Sequence, residues 1–199
     1  MKGKLITLEG IDGAGKTTVL DFLRKHPVFG EAVFTREPTT NWIGMAVERA
    51  IHSETDPMAE LFLFTADHAD HVARVIRPSI MDGKNVISDR YYDSRIAYQT
   101  VTLQGILDDP AQWILNLHQG WTIEPDLTLL LDLDPAVAVS RCNSREVQTK
   151  FEKIDFLNEV RKNFLELSEK QPERFCVIDA SWGIEDVKKQ VTQALTNLF

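Results

Sequence analysis

The chain has 199 residues, 43% of them hydrophobic, so it can bury a core and is most simply a single domain spanning residues 1–199. No apolar run approaches the length of a membrane span, and the start of the chain lacks the long apolar region of a signal peptide. The net charge of −8 argues against nonspecific nucleic-acid binding. The two cysteines, Cys142 and Cys176, make neither a C-x-x-C pair nor a disulfide framework, which favours a reduced, cytoplasmic setting.

The first predicted strand, residues 4–9, runs into a glycine-rich segment that fits the phosphate-binding pattern G-x-x-x-x-G-K-[ST]. A helical pattern that includes Val19 and Leu23 follows, so the segment lies between a strand and a helix, as the pattern requires. Such a loop turns backbone N–H groups inward at a helix N-terminus, where they bind phosphate oxygens. Lys16 adds a positive charge for the outer phosphates, and the Thr17 hydroxyl can ligate Mg²⁺. The predicted nucleoside triphosphate site comprises Gly10, Ile11, Asp12, Gly13, Ala14, Gly15, Lys16, Thr17 and Thr18.

Four further short apolar runs predict strands at residues 32–35, 85–89, 126–132 and 175–179. Several of these runs are apolar on both faces, as strands buried in a parallel sheet are. The connections between them are long enough to contain helices, which indicates βαβ units. The sequence therefore predicts a three-layer α/β fold.

Two of the predicted strands end in a carboxylate, and ligands of α/β sheets collect at the carboxyl ends of strands. Asp89 ends one run and Asp132 ends another, so either could lie beside the Mg²⁺ of the phosphate loop. Asp89 is favoured because Arg90 follows it at once, which places a metal-side charge and a phosphate-side charge together. For Asp132, a position at the start of a helix leading into Pro135 is the equal alternative.

Beyond the loop, four segments occur in the order of one enzyme family: residues 35–38 (T-R-E-P), 63–68 (L-F-T-A-D-H), 89–99 (D-R-Y-Y-D-S-R-I-A-Y-Q) and 125–132 (P-D-L-T-L-L-L-D). Together with the loop, these segments make the chain resemble the thymidylate kinase family over nearly its whole length. The string D-R-Y-x-x-S-x-x-A-Y-Q is the most family-specific of them, because the loop alone is shared with many unrelated NTPases.

The resemblance implies a P-loop NTPase fold with a five-stranded parallel sheet and a helical lid at about residues 141–152. It also implies transfer of the γ-phosphoryl group of ATP to dTMP, assisted by Mg²⁺, which gives ADP and dTDP. Members of the family are commonly homodimers packed through helices. We therefore expect dTMP and ATP as small-molecule substrates and a second copy of the chain as partner.

The resemblance further implies roles for individual residues at the acceptor site. Asp12 would contact the 3′-hydroxyl of the acceptor sugar, and Arg36 and Arg90 would hold the acceptor phosphate. Phe64 would stack on the pyrimidine. The substrate site would be completed by Glu37 and by three residues lining the base and sugar pocket, namely Ser94, Tyr98 and Gln99.

The chemistry of this transfer requires positive charge more than it requires a general base. A phosphate monoester is largely dianionic at pH 7, because its second pKa is about 6, so its oxygen is already a nucleophile. Repulsion between two polyanions is overcome by positioning and by cations, here Lys16, Arg90, Mg²⁺ on Thr17 and an arginine of the lid. Closure of the lid would also exclude water from the transfer.

The identity of the lid arginine depends on Gly13, which stands where some family members carry a basic loop residue. The chain therefore resembles the subgroup whose lid supplies the catalytic arginine, with Arg145 and Arg141 as candidates. The usual lid motif D-R-[FI]-E reads T-K-F-E at residues 149–152, so Lys150 stands where that motif has its arginine.

Position 68 departs from the family pattern, which usually reads A-D-R where this chain has A-D-H at residues 66–68. That arginine commonly helps to read the thymine edge. Phe64, His68 and His71 lie at i, i+4 and i+7 of one helix, so His68 is predicted to offer a donor to a base stacked on Phe64. A neutral imidazole has one donor where guanidinium has five, so base recognition is expected to be looser or water-mediated.

Several alternatives remain open at this stage. The histidine favours a kinase of the same fold with different or broader base specificity as the second hypothesis. A metal shared by His68 and His71 lacks a third ligand of clear spacing. Arg95 occupies a variable position of the D-R-Y string, where a solvated charge is the simpler interpretation. A nucleotide-dependent switch is disfavoured, because the chain has no N-K-x-D motif and its D-x-x-G at residues 12–15 lies within the loop.

Overall fold

The structure is a computed structural model that describes residues 2–142 and 153–198. Within these ranges, five strands form one sheet in the order β2-β3-β1-β4-β5, and every pairing is parallel. The predicted strands are confirmed to within one residue at either end. Their bounds are Leu5–Glu9 for β1, Val33–Arg36 for β2, Val86–Asp89 for β3, Leu127–Asp132 for β4 and Phe175–Asp179 for β5.

Helices connect successive strands, as parallel pairing demands, and the predicted three-layer P-loop α/β fold is confirmed. None of the helices in the described ranges is both long and apolar enough to cross a membrane. A 3₁₀ turn lies at Pro27–Phe29 and a π-helical turn at Val72–Ile76. The α-helices are α1 Lys16–Arg24, α2 Trp42–Ile51, α3 Pro57–His71, α4 Arg77–Met81, α5 Tyr92–Thr102, α6 Pro110–His118, α7 Pro135–Cys142, α8 Ile154–Lys170 and α9 Ile184–Leu198.

The central strand β1 is the most deeply buried part of the sheet. Leu5, Ile6 and Leu8 have no exposed surface, as expected of a strand that is covered on both faces. The hydroxyls of Thr7 and Thr128 form a hydrogen bond of 3.0 Å between β1 and β4, so the polar groups of this buried pair are satisfied. Because β1 is buried on both faces, the loop that follows it starts from a fixed position.

The strand register brings the functional segments to one edge of the sheet. Leu8 of β1 and Arg36 of β2 are both opposite Asp89 at the end of β3. The loop after β1 therefore meets Arg36 and the Asp89–Arg90 pair at the carboxyl ends of three adjacent strands, where ligands of α/β sheets bind.

The position of α5 is fixed by two buried carboxylates. Glu9, at the end of β1, accepts hydrogen bonds from the backbone N–H of Tyr91 (2.8 Å) and from the hydroxyl of Ser94. Asp93 forms an ion pair with Arg174 at 2.8 Å, and the side chains are 0% and 4% exposed. The first turn of α5 is thus tied both to the phosphate-loop strand and to the segment leading into β5.

Candidate active site

The phosphate loop connects β1 to α1 through three glycines with positive φ: 131° at Gly10, 86° at Gly13 and 98° at Gly15. A Cβ on Gly10 would lie 2.5 Å from the carbonyl oxygen of Leu131, and a Cβ on Gly13 would lie 2.5 Å from that of Ala138. Both distances are far inside van der Waals contact. Position 13 therefore excludes a basic side chain unless α7, which contains Ala138, moves away.

Lys16, the first residue of α1, is turned inward and is 7% exposed. Its Nζ donates hydrogen bonds of 3.0 Å to the carbonyl oxygens of Gly10 and Ile11, and it lies 3.9 Å from Asp12 Oδ1. Burial, followed by the nearby positive charge of Arg90, lowers the pKa of Lys16 to about 8. The ammonium is therefore positioned within the loop and would gain from a phosphate partner.

Arg90 links the phosphate loop to α5. Its backbone has a φ of 66°, a conformation that non-glycine residues seldom adopt. Nη1 donates to the Gly10 carbonyl (3.1 Å) and to Ser94 Oγ (2.9 Å), and Nη2 donates to Asp12 Oδ1 (2.8 Å) and to the Tyr98 hydroxyl (3.3 Å). One guanidinium thus orients three of the predicted acceptor-site side chains.

The two candidate carboxylates for a metal have different surroundings. Asp89 Oδ1 is buried and has no hydrogen-bond partner among residues 2–142 and 153–198, and Asp89 borders the same cleft as the exposed Thr17. Asp132 instead accepts two hydrogen bonds from Arg161 of α8, at 2.6 and 2.8 Å. An orphaned carboxylate oxygen beside a phosphate loop fits a Mg²⁺ site, whereas a carboxylate paired with guanidinium does not.

A single cleft of about 640 Å³ opens at this edge of the sheet. Gly10, Ile11 and Ala14 contribute to the loop but do not line the cleft. Arg36 is more than half exposed there, with Nη2 3.9 Å from Glu48 Oε1. The predicted site residues that line the cleft are Asp12, Gly13, Gly15, Lys16, Thr17, Thr18, Arg36, Glu37, Phe64, Asp89, Arg90, Ser94, Tyr98, Gln99 and Arg141.

His68 is not brought to the cleft, although its position in the sequence predicted a contact with the base. Its side chain has no exposed surface; Nδ1 lies 2.8 Å from Glu37 Oε1 and Nε2 lies 2.7 Å from Thr122 Oγ1. Burial, together with the charge of Arg95, lowers its pKa to about 4, so the imidazole is neutral. His71 binds the same oxygen of Glu37, at 2.8 Å. The described ranges contain no group of three potential ligands that would support a metal at these histidines.

Arg95 is a charged, buried cleft residue that was not among the predicted site residues. It is 2% exposed rather than solvated, and it lines the cleft. Nη1 donates to Glu37 Oε2 at 2.7 Å, and Nε donates to Nε2 of His118 at 3.1 Å. The sequence signal available was its spacing, because Arg95 precedes Gln99 by four residues on α5 and so shares a helix face with a predicted site residue.

The lid candidates are only partly within the described residues. Arg141, near the end of α7, lines the cleft and donates to the carbonyl of Ala180 at 3.4 Å from each Nη. Arg145 and Lys150 lie in residues 143–152, outside the described ranges. The structure thus brings one of the two predicted lid arginines to the phosphate-loop side of the cleft.

Comparisons with known proteins agree with this geometry. The family model for thymidylate kinase matches residues 8–191. A probable thymidylate kinase of Methanococcoides burtonii is 62% identical, with 100% of this chain and 99% of the relative covered. One of Methanosarcina acetivorans is 58% identical over 98% of this chain and 96% of its own. The crystal structure of thymidylate kinase from Ehrlichia chaffeensis has a TM-score of 0.73 and 31% identity, covering 98% of this chain and 99% of that one. The chain belongs to the thymidylate kinase family.

Proposed function

We propose that the protein transfers the γ-phosphoryl group of ATP to the phosphate of dTMP, giving ADP and dTDP. The observation that carries this proposal is the continuity of the cleft. The phosphate loop lines this cleft together with an aromatic side chain, Phe64, and two polar residues of α5, Ser94 and Gln99. In-line transfer requires a donor and an acceptor in one enclosure with their phosphates facing each other.

At the donor end, the loop N–H groups and Lys16 would bind the phosphates of ATP. Lys16 Nζ now contacts two loop carbonyls, and phosphate oxygens would replace them as stronger, charged acceptors. Thr17 and Asp89 are the residues that would hold Mg²⁺. When bound, Mg²⁺ neutralises part of the phosphate charge and orients the triphosphate.

At the acceptor end, Arg90 and Arg36 would hold the phosphate of dTMP, and Asp12 would face the sugar. Arg90 is fixed by four hydrogen bonds, so it would present its charge without reorganisation. Phe64 would stack on the base. The acceptor phosphate is already a nucleophile, and no side chain in this proposal removes a proton.

The remaining positive charge would come from the lid. Gly13 excludes a basic residue from the loop, since a Cβ there meets the Ala138 carbonyl. Arg141, in the cleft, and Arg145, in residues 143–152, are the proposed sources. An arginine acting on the transferring group raises kcat by about 10³-fold or more in related chemistry.

An acceptor panel tests the proposed function. Purified protein with ATP and Mg²⁺ is assayed against dTMP, dUMP, UMP, dCMP, dGMP and AMP, and kcat/KM is measured for each. We expect dTMP to give the highest value. A higher value for another monophosphate would favour a same-fold kinase of different specificity, and tight GTP binding without acceptor phosphorylation would favour a switch protein.

We also propose that the chain is a single domain and that it is located in the cytoplasm. We further propose that it forms a homodimer through helices α2 and α3. Trp42 and Met45 on α2 are 78% and 66% exposed, and Phe62 on α3 is 50% exposed. Exposed large apolar side chains on two helices that pack against each other favour burial against a second copy. Light scattering should give twice the 22.6 kDa chain mass, and Trp42→Asp should lower it, while Trp182→Asp, at another exposed tryptophan, should not.

A further inference from the structure

Two buried donors on successive turns of α5 border the cleft without a protein partner. Arg95 Nη2 and Gln99 Nε2 have almost no accessible surface, and neither makes a hydrogen bond within residues 2–142 or 153–198. Both residues line the cleft together with Phe64. A buried N–H without an acceptor is unfavourable, so the pair indicates a ligand that brings acceptor atoms to this wall.

The direction of the free Arg95 nitrogen is fixed by the other two nitrogens of the same planar group. Nη1 is held by Glu37 Oε2 at 2.7 Å, and Nε is held by His118 Nε2 at 3.1 Å. The Nδ1 atom of His118 contacts the carbonyl of Ile114 at 2.7 Å, which assigns the proton to Nδ1 and leaves Nε2 as an acceptor for Arg95. Because guanidinium is rigid, Nη2 then has one orientation available.

Behind Arg95, His68 completes the support. Neutral His68 donates from Nδ1 to Glu37 Oε1 and accepts at Nε2 from the Thr122 hydroxyl. His71 contacts the same Glu37 oxygen. The carboxylate is thus surrounded by two imidazoles, and Arg95 is the guanidinium that it pairs with.

The geometry points to Arg95 as the residue that reads the base of the acceptor, through a hydrogen bond from Nη2 to the 4-carbonyl oxygen of the pyrimidine, with Gln99 as the second contact. This inference rests on the proposed function. The guanidinium that the family pattern places on α3 at position 68 would here be supplied from α5, and His68 would be a positioning residue that acts through Glu37.

The chemistry predicts which bases are accepted. Guanidinium nitrogens only donate, so they match the 4-carbonyl of thymine or uracil and oppose the 4-amino group of cytosine, which is also a donor. A site built to bond one polar group rejects an analogue that leaves that site group unpaired. Discrimination between keto and amino pyrimidines should therefore depend on Arg95, while selection among keto pyrimidines need not.

Arg95→Lys tests this assignment, because it keeps a positive charge opposite Glu37 but removes the planar Nη2 donor. With saturating ATP and Mg²⁺, kcat/KM is measured for dTMP, dUMP and dCMP, and the KM for ATP is measured separately. We expect the dTMP to dCMP ratio to fall by at least about tenfold, mainly through the KM for dTMP. The KM for ATP should stay within about twofold, because the hydrogen bonds of Arg95 go to Glu37 and His118 rather than to the phosphate loop.

Arg77→Lys is the matched control, because Arg77 bonds the Trp121 carbonyl outside the cleft lining and should leave the ratio unchanged. If Arg95→Lys does not fold, the same ratio is measured in Arg95→Met/Glu37→Gln, which removes the buried pair together. A folded variant whose ratio matches the unaltered enzyme would overturn the assignment and leave Arg95 a structural residue. Failure of the unaltered enzyme to phosphorylate dTMP would instead refute the proposed function.

Discussion

At the donor end of the cleft, the groups proposed to bind phosphate come from one run of nine residues, Gly10 to Thr18, and most of them are backbone N–H groups. At the acceptor end, the wall proposed to face the base is formed by side chains of α3 and α5, and it is supported from behind by side chains of α3 and α6 and by Glu37 after β2. The first arrangement depends on glycine geometry at a strand end. The second depends on charged and neutral groups that bond one another across the chain.

This difference indicates how each end can change in evolution or by design. Backbone N–H groups bind any triphosphate, and the loop tolerates few substitutions because its glycines have positive φ or close neighbours. A side-chain network can exchange members, provided that every buried charge keeps a partner. The histidine at position 68 and the arginine at position 95 are, in our account, such an exchange.

The largest expected effect is that of replacing Lys16, at the donor end of the cleft. Lys16→Ala should lower kcat by about 10³-fold, because it removes a fixed cation from the transferring phosphates. The fold and dTMP binding should be retained, since the hydrogen bonds of Lys16 go to loop carbonyls and its ion pair with Asp12 is long, at 3.9 Å. Steady-state kinetics and thermal unfolding check this, with Lys189→Ala, at an exposed lysine, as the control. Turnover close to that of the unaltered enzyme would refute the assignment of the donor end.

The next comparison is between Asp89 and Asp132, the two aspartates that each end a strand. Asp89→Asn should reduce activity by about 10- to 100-fold and raise the Mg²⁺ concentration needed for half-maximal rate, because Asp89 lines the cleft with the phosphate loop and its Oδ1 has no partner in the described residues. Asp132→Asn should lower stability by weakening the Arg161 pair, with little change in the Mg²⁺ requirement. Magnesium titrations of both variants measure this, and the reverse pattern would move the metal to Asp132.

Two glycines of the phosphate loop provide a further test of the donor end. Gly13→Ala adds both strain at positive φ and a contact of 2.5 Å with the Ala138 carbonyl, whereas Gly15→Ala adds only strain, because none of the described residues lies within 4 Å of its Cβ. We expect losses in the free energy of unfolding of about 2 to 4 kcal/mol for Gly13→Ala and about 1 kcal/mol for Gly15→Ala. Urea unfolding measures both, and equal losses would contradict the packing of the loop against α7.

The smallest expected effect is the uptake of a proton by Lys16 when a ligand binds at the donor end. Because burial lowers the pKa of Lys16 to about 8, a large part of the free enzyme carries a neutral lysine at pH 8.5. Phosphate binding favours the charged form, so a non-hydrolysable ATP analogue should take up roughly 0.7 proton per site at that pH. Calorimetry in buffers of different ionisation enthalpy measures the uptake. Lys16→Arg should abolish it, and unchanged uptake in that variant would place the proton elsewhere.

The sequence predicted the fold well because its signals are local. Apolar runs located the strands to within one residue, and a glycine pattern between strand and helix located the phosphate loop. The choice of Asp89 over Asp132 followed from the arginine beside it, and the structure adds that Asp132 is engaged by Arg161.

The wall proposed to read the base could not be predicted in the same way, because its contacts join distant parts of the chain. His68 bonds Thr122, 54 residues away, and Arg95 bonds Glu37, 58 residues away. Helix periodicity predicted that His68 shares a helix face with Phe64. In the structure its side chain is buried and bonds Glu37 and Thr122 instead of lining the cleft. From the sequence alone, Arg95 resembles a surface residue. Only the structure shows that Glu37 and His118 are its partners.

The independence of the two ends is the central claim, and one binding experiment tests it most directly. Calorimetric titrations of Lys16→Ala and Arg95→Lys are carried out with a non-hydrolysable ATP analogue plus Mg²⁺ and, separately, with dTMP. We predict that Lys16→Ala weakens only the ATP analogue and Arg95→Lys weakens only dTMP, each by at least about tenfold, with the other ligand changed by less than about twofold. Loss of both ligands in either variant would contradict the account.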